Sequence, residues 1–133
     1  MMRWTALGIL STLAACGNDS PPSGAAPKGS VDSNGGRYRI SFRTLPEPIP
    51  LNQPFTLRFQ VSPTGAGPRS VEVDARMPAH GHGMNRVAKV ARLPDGAFEA
   101  SGLVFHMPGH WELYVDIAEG GRTERAQIDV ELK

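Results

Sequence analysis

The chain has 133 residues, which is room for one domain and little more. Its formal net charge is +1 and no basic face or run is present, which argues against nucleic acid or an anionic membrane surface as a partner. Twelve prolines and fifteen glycines indicate a protein of strands and turns rather than helices.

Residues 1–15 are predicted to be a signal peptide. Arg3 supplies a positive charge, and the apolar run at 4–13 is too short to span a bilayer permanently. The run ends in LAAC, which is similar to a bacterial lipobox, so Cys16 is predicted to be lipidated and to hold the protein to a bilayer in the periplasm. The outer membrane is favoured, because Gly17 stands where an Asp would favour the inner membrane. The alternative is an ordinary secretory leader with a chance cysteine.

Cys16 is the only cysteine, and lipidation would consume its thiol. No disulfide, redox pair or thiolate ligand is then left, so a metal site would have to use His, Met or carboxylate. Residues 17–36 are dominated by Pro, Gly, Ser and Ala. This composition predicts that 16–36 comprises the lipidated cysteine and a flexible tether, and that the folded domain spans 37–133.

From residue 37 onward, apolar and polar side chains alternate with a period of two, the pattern of half-buried strands. Turn sequences separate the alternating segments, and no segment predicts a helix. Seven strands are predicted, at residues 37–43, 55–61, 71–76, 87–93, 98–105, 111–117 and 126–130. Such short, regularly spaced strands favour an all-β fold, an immunoglobulin-like antiparallel β-sandwich, with a small closed barrel as the alternative.

Two breaks in the strand pattern hold every histidine of the chain and every methionine outside the leader. The first is MPAHGHGM, residues 77–84, and the second is HMPGH, residues 106–110. The candidate metal ligands in them are Met77, His80, His82, Met84, His106, Met107 and His110. Both clusters lie at strand ends, so the two loops would face each other if those ends share one edge of the sandwich.

The ligand types favour copper. Thioether sulfur is a soft ligand that binds Cu(I) well and Zn(II) or Ca(II) poorly, whereas imidazole suits both Cu(I) and Cu(II). Zinc sites more usually use Cys or carboxylate beside His. The expected roles are primary ligands at His82 and Met84, a third ligand at His80, closure from the facing loop by Met107 or His110, and shielding by Trp111.

A structural interpretation of the same residues stays open. Methionine beside a strand often fills the core, and Met77 and Met107 each precede a proline at a strand end. Strand parity puts Phe105 and Met107 on the inward face and His106 on the other. Trp111 could equally be an ordinary core residue, and loop histidines often bind nothing.

The two motifs, together with the PDGAFEASGLVF stretch, resemble the YtkA-like domain, a group that includes relatives of the FixH type. The resemblance covers about residues 37–131. Residues 82–84 match the family's His-Gly-Met element, and residues 107–109 with Trp111 match its second signature. The resemblance implies a cupredoxin- or immunoglobulin-like sandwich in a small periplasmic or membrane-anchored protein. It also implies copper handling and, in the FixH relatives, oxidase assembly.

Two classes of function therefore compete. The preferred one is a lipid-anchored copper-binding protein that buffers copper or, as a chaperone, passes it to an acceptor such as a respiratory oxidase subunit. The alternative is a metal-free immunoglobulin-like adaptor that contacts another envelope protein. An enzyme is not expected, because no Ser/His/Asp set is apparent and no phosphate-binding glycine loop is present. A homodimer that shares the HMPGH loop would be equally compatible with the sequence.

Overall fold

The computed structural model describes residues 26–64 and 69–133. The predicted signal peptide, the lipidated Cys16 and the first part of the predicted tether lie outside these described residues. Within them, no helix combines the length and the apolar character that a membrane span requires.

The described residues form two antiparallel sheets. In chain order the strands are β1 (Gly29–Asp32), β2 (Arg39–Leu45), β3 (Pro54–Ser62), β4 (Arg69–Met77), β5 (His82–Gly83), β6 (Lys89–Arg92), β7 (Phe98–Val104), β8 (Gly109–Glu119) and β9 (Arg122–Leu132). A short 3-10 helix, Pro78–His80, lies between β4 and β5. One sheet has the order β1-β2-β3-β7-β6 and the other the order β5-β4-β8-β9. The predicted β-sandwich is confirmed, and the separate sheets exclude the closed barrel.

The core lies between the sheets and follows the predicted alternation. In β8, the apolar residues at alternate positions are fully buried, namely Trp111, Leu113, Val115 and Ile117. Aromatic and aliphatic side chains of β3 and β7 belong to the same cluster, among them Phe59 and Leu103. Burial of apolar surface, worth roughly 25 cal/mol per Å², is the main force that holds the two sheets together.

Two strands go beyond the seven that the sequence predicts. β1 lies inside the predicted tether and pairs with β2, from Gly29 opposite Phe42 to Asp32 opposite Arg39. Val31 is the one large apolar residue of β1, so backbone pairing rather than a hydrophobic pattern defines this strand. Residues 29–32, which precede the predicted domain boundary at residue 37, therefore belong to the first sheet. The second additional strand, β5, has two residues and lies within the first His/Met loop.

Three side chains interact at the end of β8 that lies farthest from Gly109. The Tyr38 hydroxyl donates a hydrogen bond of 2.6 Å to Oε2 of Glu119, and Nη2 of Arg69 donates one of 3.1 Å to the same oxygen. The hydrogen bond from Tyr38, then that from Arg69, lowers the pKa of Glu119 against the opposing effect of burial. The same carboxylate raises the pKa of Tyr38.

We expect Tyr38→Phe to make the stability of the protein less dependent on pH in the acid range. Because the pKa of Glu119 is lower in the folded than in the unfolded state, its contribution is complete above the unfolded pKa and is lost as pH falls through the folded pKa. Phenylalanine keeps the buried ring and removes the donor. The variant should therefore be less stable than the wild type at neutral pH, and the difference should shrink towards about pH 3. Urea unfolding across this range measures it, and a difference independent of pH would contradict the prediction.

Candidate metal centre

Strand pairing brings the two His/Met loops together. β4 and β8 are antiparallel neighbours, with Arg76 opposite Glu112, so the end of β4 lies beside the beginning of β8. The MPAHGHGM loop leaves the end of β4, and the HMPGH loop leads into the beginning of β8. Both loops therefore lie at the same edge of the sandwich, as a joint metal site requires.

The first loop is a hydrogen-bonded turn. Its 3-10 helix ends at Gly81, whose N–H donates to the carbonyl oxygens of Met77 at 3.0 Å and Pro78 at 3.2 Å. Gly81 has a φ of 65°, in the left-handed region that glycine adopts at the least cost. β5 then returns along β4, with His82 opposite Met77. Gly81 thus sets the turn that brings His82 back beside the sheet.

Three imidazole rings, those of His80, His82 and His106, lie in a row at this edge, here called the histidine row. The ring centroids are 5.7 Å apart between His80 and His82 and 5.1 Å apart between His82 and His106. Trp111 lies against the row, with its ring centroid 6.0 Å from that of His82 and 5.5 Å from that of His106. His80 is exposed, whereas the other two histidines are half-buried. The row thus combines candidate ligands from both loops.

The spacing of the rings fits shared coordination. An imidazole nitrogen binds zinc at about 2.0–2.1 Å, which puts each ring centroid about 3.2 Å from the ion. Two rings bound to one ion at roughly 90–180° therefore have centroids about 4.5–6.4 Å apart. Both measured separations lie in this range. In the described part of the chain, the three histidines do not form a group whose ligand nitrogens are all within 4.8 Å of one another. His82 and His106, at 5.1 Å, are the closer pair, and His80 is the exposed member of the row.

The surroundings of Nδ1 in His106 and in His82 indicate which ring nitrogens could bind a metal. Nδ1 of His106 is buried and has no hydrogen-bond partner among the described residues, an arrangement that costs free energy. A metal ion would satisfy that nitrogen. Nδ1 of His82 lies 3.2 Å from the carbonyl oxygen of Gly83. When Nδ1–H of His82 donates to this oxygen, Nε2 is left as the metal-binding atom, the usual backbone support of a histidine ligand.

The three candidate methionines differ in burial. Met77 is 1 % exposed and fills the core, and its methyl carbon Cε lies 2.7 Å from where a Cβ on Gly109 would be. Met84 and Met107 are half-buried against the core, each within two residues of a histidine of the row. They remain candidate soft ligands, whereas the position of Met77 agrees with the structural interpretation.

Trp111 is both a core residue and a wall of the site. It is fully buried, and its ring is stacked on that of Phe105 at a centroid distance of 4.5 Å. Its Nε1 donates a hydrogen bond of 2.9 Å to the carbonyl oxygen of Met107. The indole therefore ties the second loop to the core and covers the inner side of the histidine row.

His110 does not join the row. Its neighbour Trp111 faces the core, so His110 faces outwards, with Nδ1 2.7 Å from Glu131 and Nε2 3.3 Å from Asp129. The structure gives no support to the predicted closure of a copper site by His110. Sequence reasoning misses the acidic partners because they come from another strand, β9. The two-glycine turn at 120–121, with positive φ at both positions, is the signal that could have aligned β9 with β8.

Comparison of the chain with protein-family models, with curated proteins and with solved structures finds no match. The similarity to the YtkA-like domain therefore stays a prediction. A β-sandwich by itself does not define a function, because many unrelated activities use this fold. The function has to be argued from the side chains at the loop edge.

Proposed function

We propose that this protein binds copper at the histidine row and works in the bacterial cell envelope, held to a membrane through lipidated Cys16. The observation that carries the copper site is the approach of His82 and His106, which come from separate loops, to a ring separation of 5.1 Å. Histidines that the fold brings together are a more specific signal than histidines close in sequence, because local composition alone does not produce such a pair.

The surroundings of the pair favour copper. Met84 and Met107, close to the row in sequence, add thioether sulfur, which prefers Cu(I) to zinc or calcium. Imidazole nitrogen accommodates both oxidation states of copper. On the inner side, Trp111 and Phe105 replace water by stacked aromatic rings, and such an apolar shell limits solvent access to a metal.

The exposure of the site suits transfer of the metal. His80 is exposed and lies at one end of the row, while His82 and His106 lie deeper, against Trp111. An acceptor could approach from the side of His80 and exchange ligands one at a time. The protein would then act as a copper chaperone or buffer, and the resemblance to the YtkA-like domain adds a respiratory oxidase as a candidate acceptor.

Titration of the full-length chain with Cu(I), in competition with a chromophoric Cu(I) chelator, tests the proposal. We expect one equivalent to bind with a dissociation constant below about 1 μM, that is, more favourably than about −8.2 kcal/mol. The combined His82→Ala and Met84→Ala variant should bind more weakly, and His110→Ala should bind as the wild type does. Affinity weaker than micromolar would exclude copper as the ligand and favour the adaptor function. An unchanged affinity in the combined variant would overturn the histidine row as the copper site.

A further inference from the structure

A second group of metal-ligating side chains lies on the outer face of the β8–β9 pair, away from the histidine row. The β8–β9 register places His110 opposite Glu131 and Glu112 opposite Asp129. Ligand atoms of His110, Glu112 and Asp129 all lie within 4.8 Å of one another. We call these three side chains the outer triad. Alternate residues of a strand share one face, so the register alone brings these groups together.

The histidine of the outer triad is oriented as a metal-binding histidine is. Its Nδ1 lies 2.7 Å from Oε1 of Glu131, so a carboxylate accepts the hydrogen bond from one ring nitrogen. Nε2 then points towards the triad, 3.3 Å from Oδ1 of Asp129. A carboxylate behind the histidine is the usual outer support of zinc ligands, because it fixes the tautomer and the orientation of the ring.

The separation of 3.3 Å between Nε2 of His110 and Oδ1 of Asp129 matches the spacing of two ligand atoms on one zinc ion. Two ligand atoms of a tetrahedral zinc site, each about 2.0–2.1 Å from the ion, lie about 3.3–3.4 Å from each other. The Nε2 atom of His110 and the Oδ1 atom of Asp129 already have this spacing. A ligand atom of Glu112, which is half-buried, lies within 4.8 Å of the ligand atoms of both other residues.

The two carboxylates of the outer triad are themselves held in place. The Tyr114 hydroxyl donates a hydrogen bond to Oε2 of Glu112, and the Gln127 side-chain amide donates one of 2.9 Å to Oδ1 of Asp129. Tyr114 lies beneath the guanidinium of Arg125, at 4.1 Å from its ring centroid. These contacts leave the second oxygen of Glu112 available to an ion and hold both strands' side chains in one cluster.

We propose that the outer triad is a second metal site, for a divalent ion of the zinc class. One imidazole and two carboxylates make a nitrogen and oxygen set without sulfur, which suits Zn(II) and not Cu(I). Three protein ligands leave a fourth position for water or for a ligand from another molecule. The inference is independent of the copper proposal, because the outer triad and the histidine row share no side chain.

Titration of the metal-free full-length chain with ZnCl₂, followed by ¹H–¹⁵N NMR spectra, tests the outer triad. We expect the first equivalent to shift the amide signals of residues 110, 112, 129 and 131, with smaller changes at 80–84 and 106. His110→Ala and Asp129→Asn should each weaken Zn(II) binding at least about tenfold. Both side chains are at least partly exposed, so the variants are expected to fold, and circular dichroism without metal checks this.

As a control, the variants of each site are titrated with the metal proposed for the other site. His82→Ala combined with His106→Ala should keep the Zn(II) affinity of the wild type, and His110→Ala should keep its Cu(I) affinity. Failure of copper binding with intact zinc binding would overturn only the copper proposal. Shifts confined to residues 80–84 and 106 would overturn the second site and place zinc at the histidine row. A Zn(II) affinity unchanged in His110→Ala would also overturn the second site.

Discussion

Replacing Trp111 by alanine is expected to lower the free energy of unfolding by about 3–5 kcal/mol, the usual cost of a large cavity in a core. The indole is fully buried and stacked on Phe105, so the substitution removes apolar burial and leaves Phe105 without its partner. The hydrogen bond to the carbonyl oxygen of Met107 is lost as well, which releases the HMPGH loop. Chemical denaturation followed by circular dichroism measures the change.

Trp111→Phe is the matched control. Phenylalanine keeps an aromatic ring against Phe105 but cannot donate to Met107, so we expect a smaller loss, about 1–2 kcal/mol. Copper affinity should fall in the alanine variant, because His82 and His106 lose the surface that supports them. A loss of stability below about 1 kcal/mol in Trp111→Ala would show that this residue is not a main part of the core.

Replacing His82 and His106 together by alanine is expected to weaken Cu(I) binding at least about 100-fold, equivalent to about 2.7 kcal/mol. These two rings are the pair that the fold brings within 5.1 Å, and no cysteine among the described residues can replace them. The measurement is competition with a Cu(I) chelator on the full-length chain.

The stability of the metal-free double variant separates loss of a ligand from loss of the fold. Nδ1 of His106 is buried and has no hydrogen-bond partner among residues 26–64 and 69–133. Removing that ring therefore relieves a cost, and the free energy of unfolding should change by no more than about 1 kcal/mol. His110→Ala removes a histidine from the other face and should leave Cu(I) affinity unchanged. Equal losses of copper affinity in the double variant and in His110→Ala would contradict the placement of the site.

Much of the fold could be predicted because its strands are buried on one face only. The alternation at 55–61 and 111–117 predicts segments that lie inside β3 and β8, since an amphipathic strand repeats every two residues. The alternation of apolar residues does not predict β1, because Val31 is its one large apolar residue. It does not predict β5 either, because two residues are too few to show a period. Both depend on backbone pairing, which leaves no pattern in composition.

The candidate metal site, too, could be predicted from the sequence only in part. The residue types predict a soft-metal chemistry, and two motifs at strand ends predict where it would lie. Which histidines meet depends on strand order. Antiparallel pairing of β4 with β8 puts the two loops at one edge and His82 beside His106. A period of two also places Trp111 and His110 on opposite faces of β8. The acidic partners of His110 lie on β9, and the β8–β9 register decides which they are.

By itself, then, the sequence predicted seven of the strands, their buried faces, and His and Met side chains gathered in two loops of a chain with a single cysteine. The tertiary structure alone decided that MPAHGHGM and HMPGH form one edge, that Met77 belongs to the core, and that His110 belongs to the outer triad. The physical reason is that periodicity describes each strand separately. Contacts between distant residues depend on which strands are hydrogen-bonded neighbours and in which register.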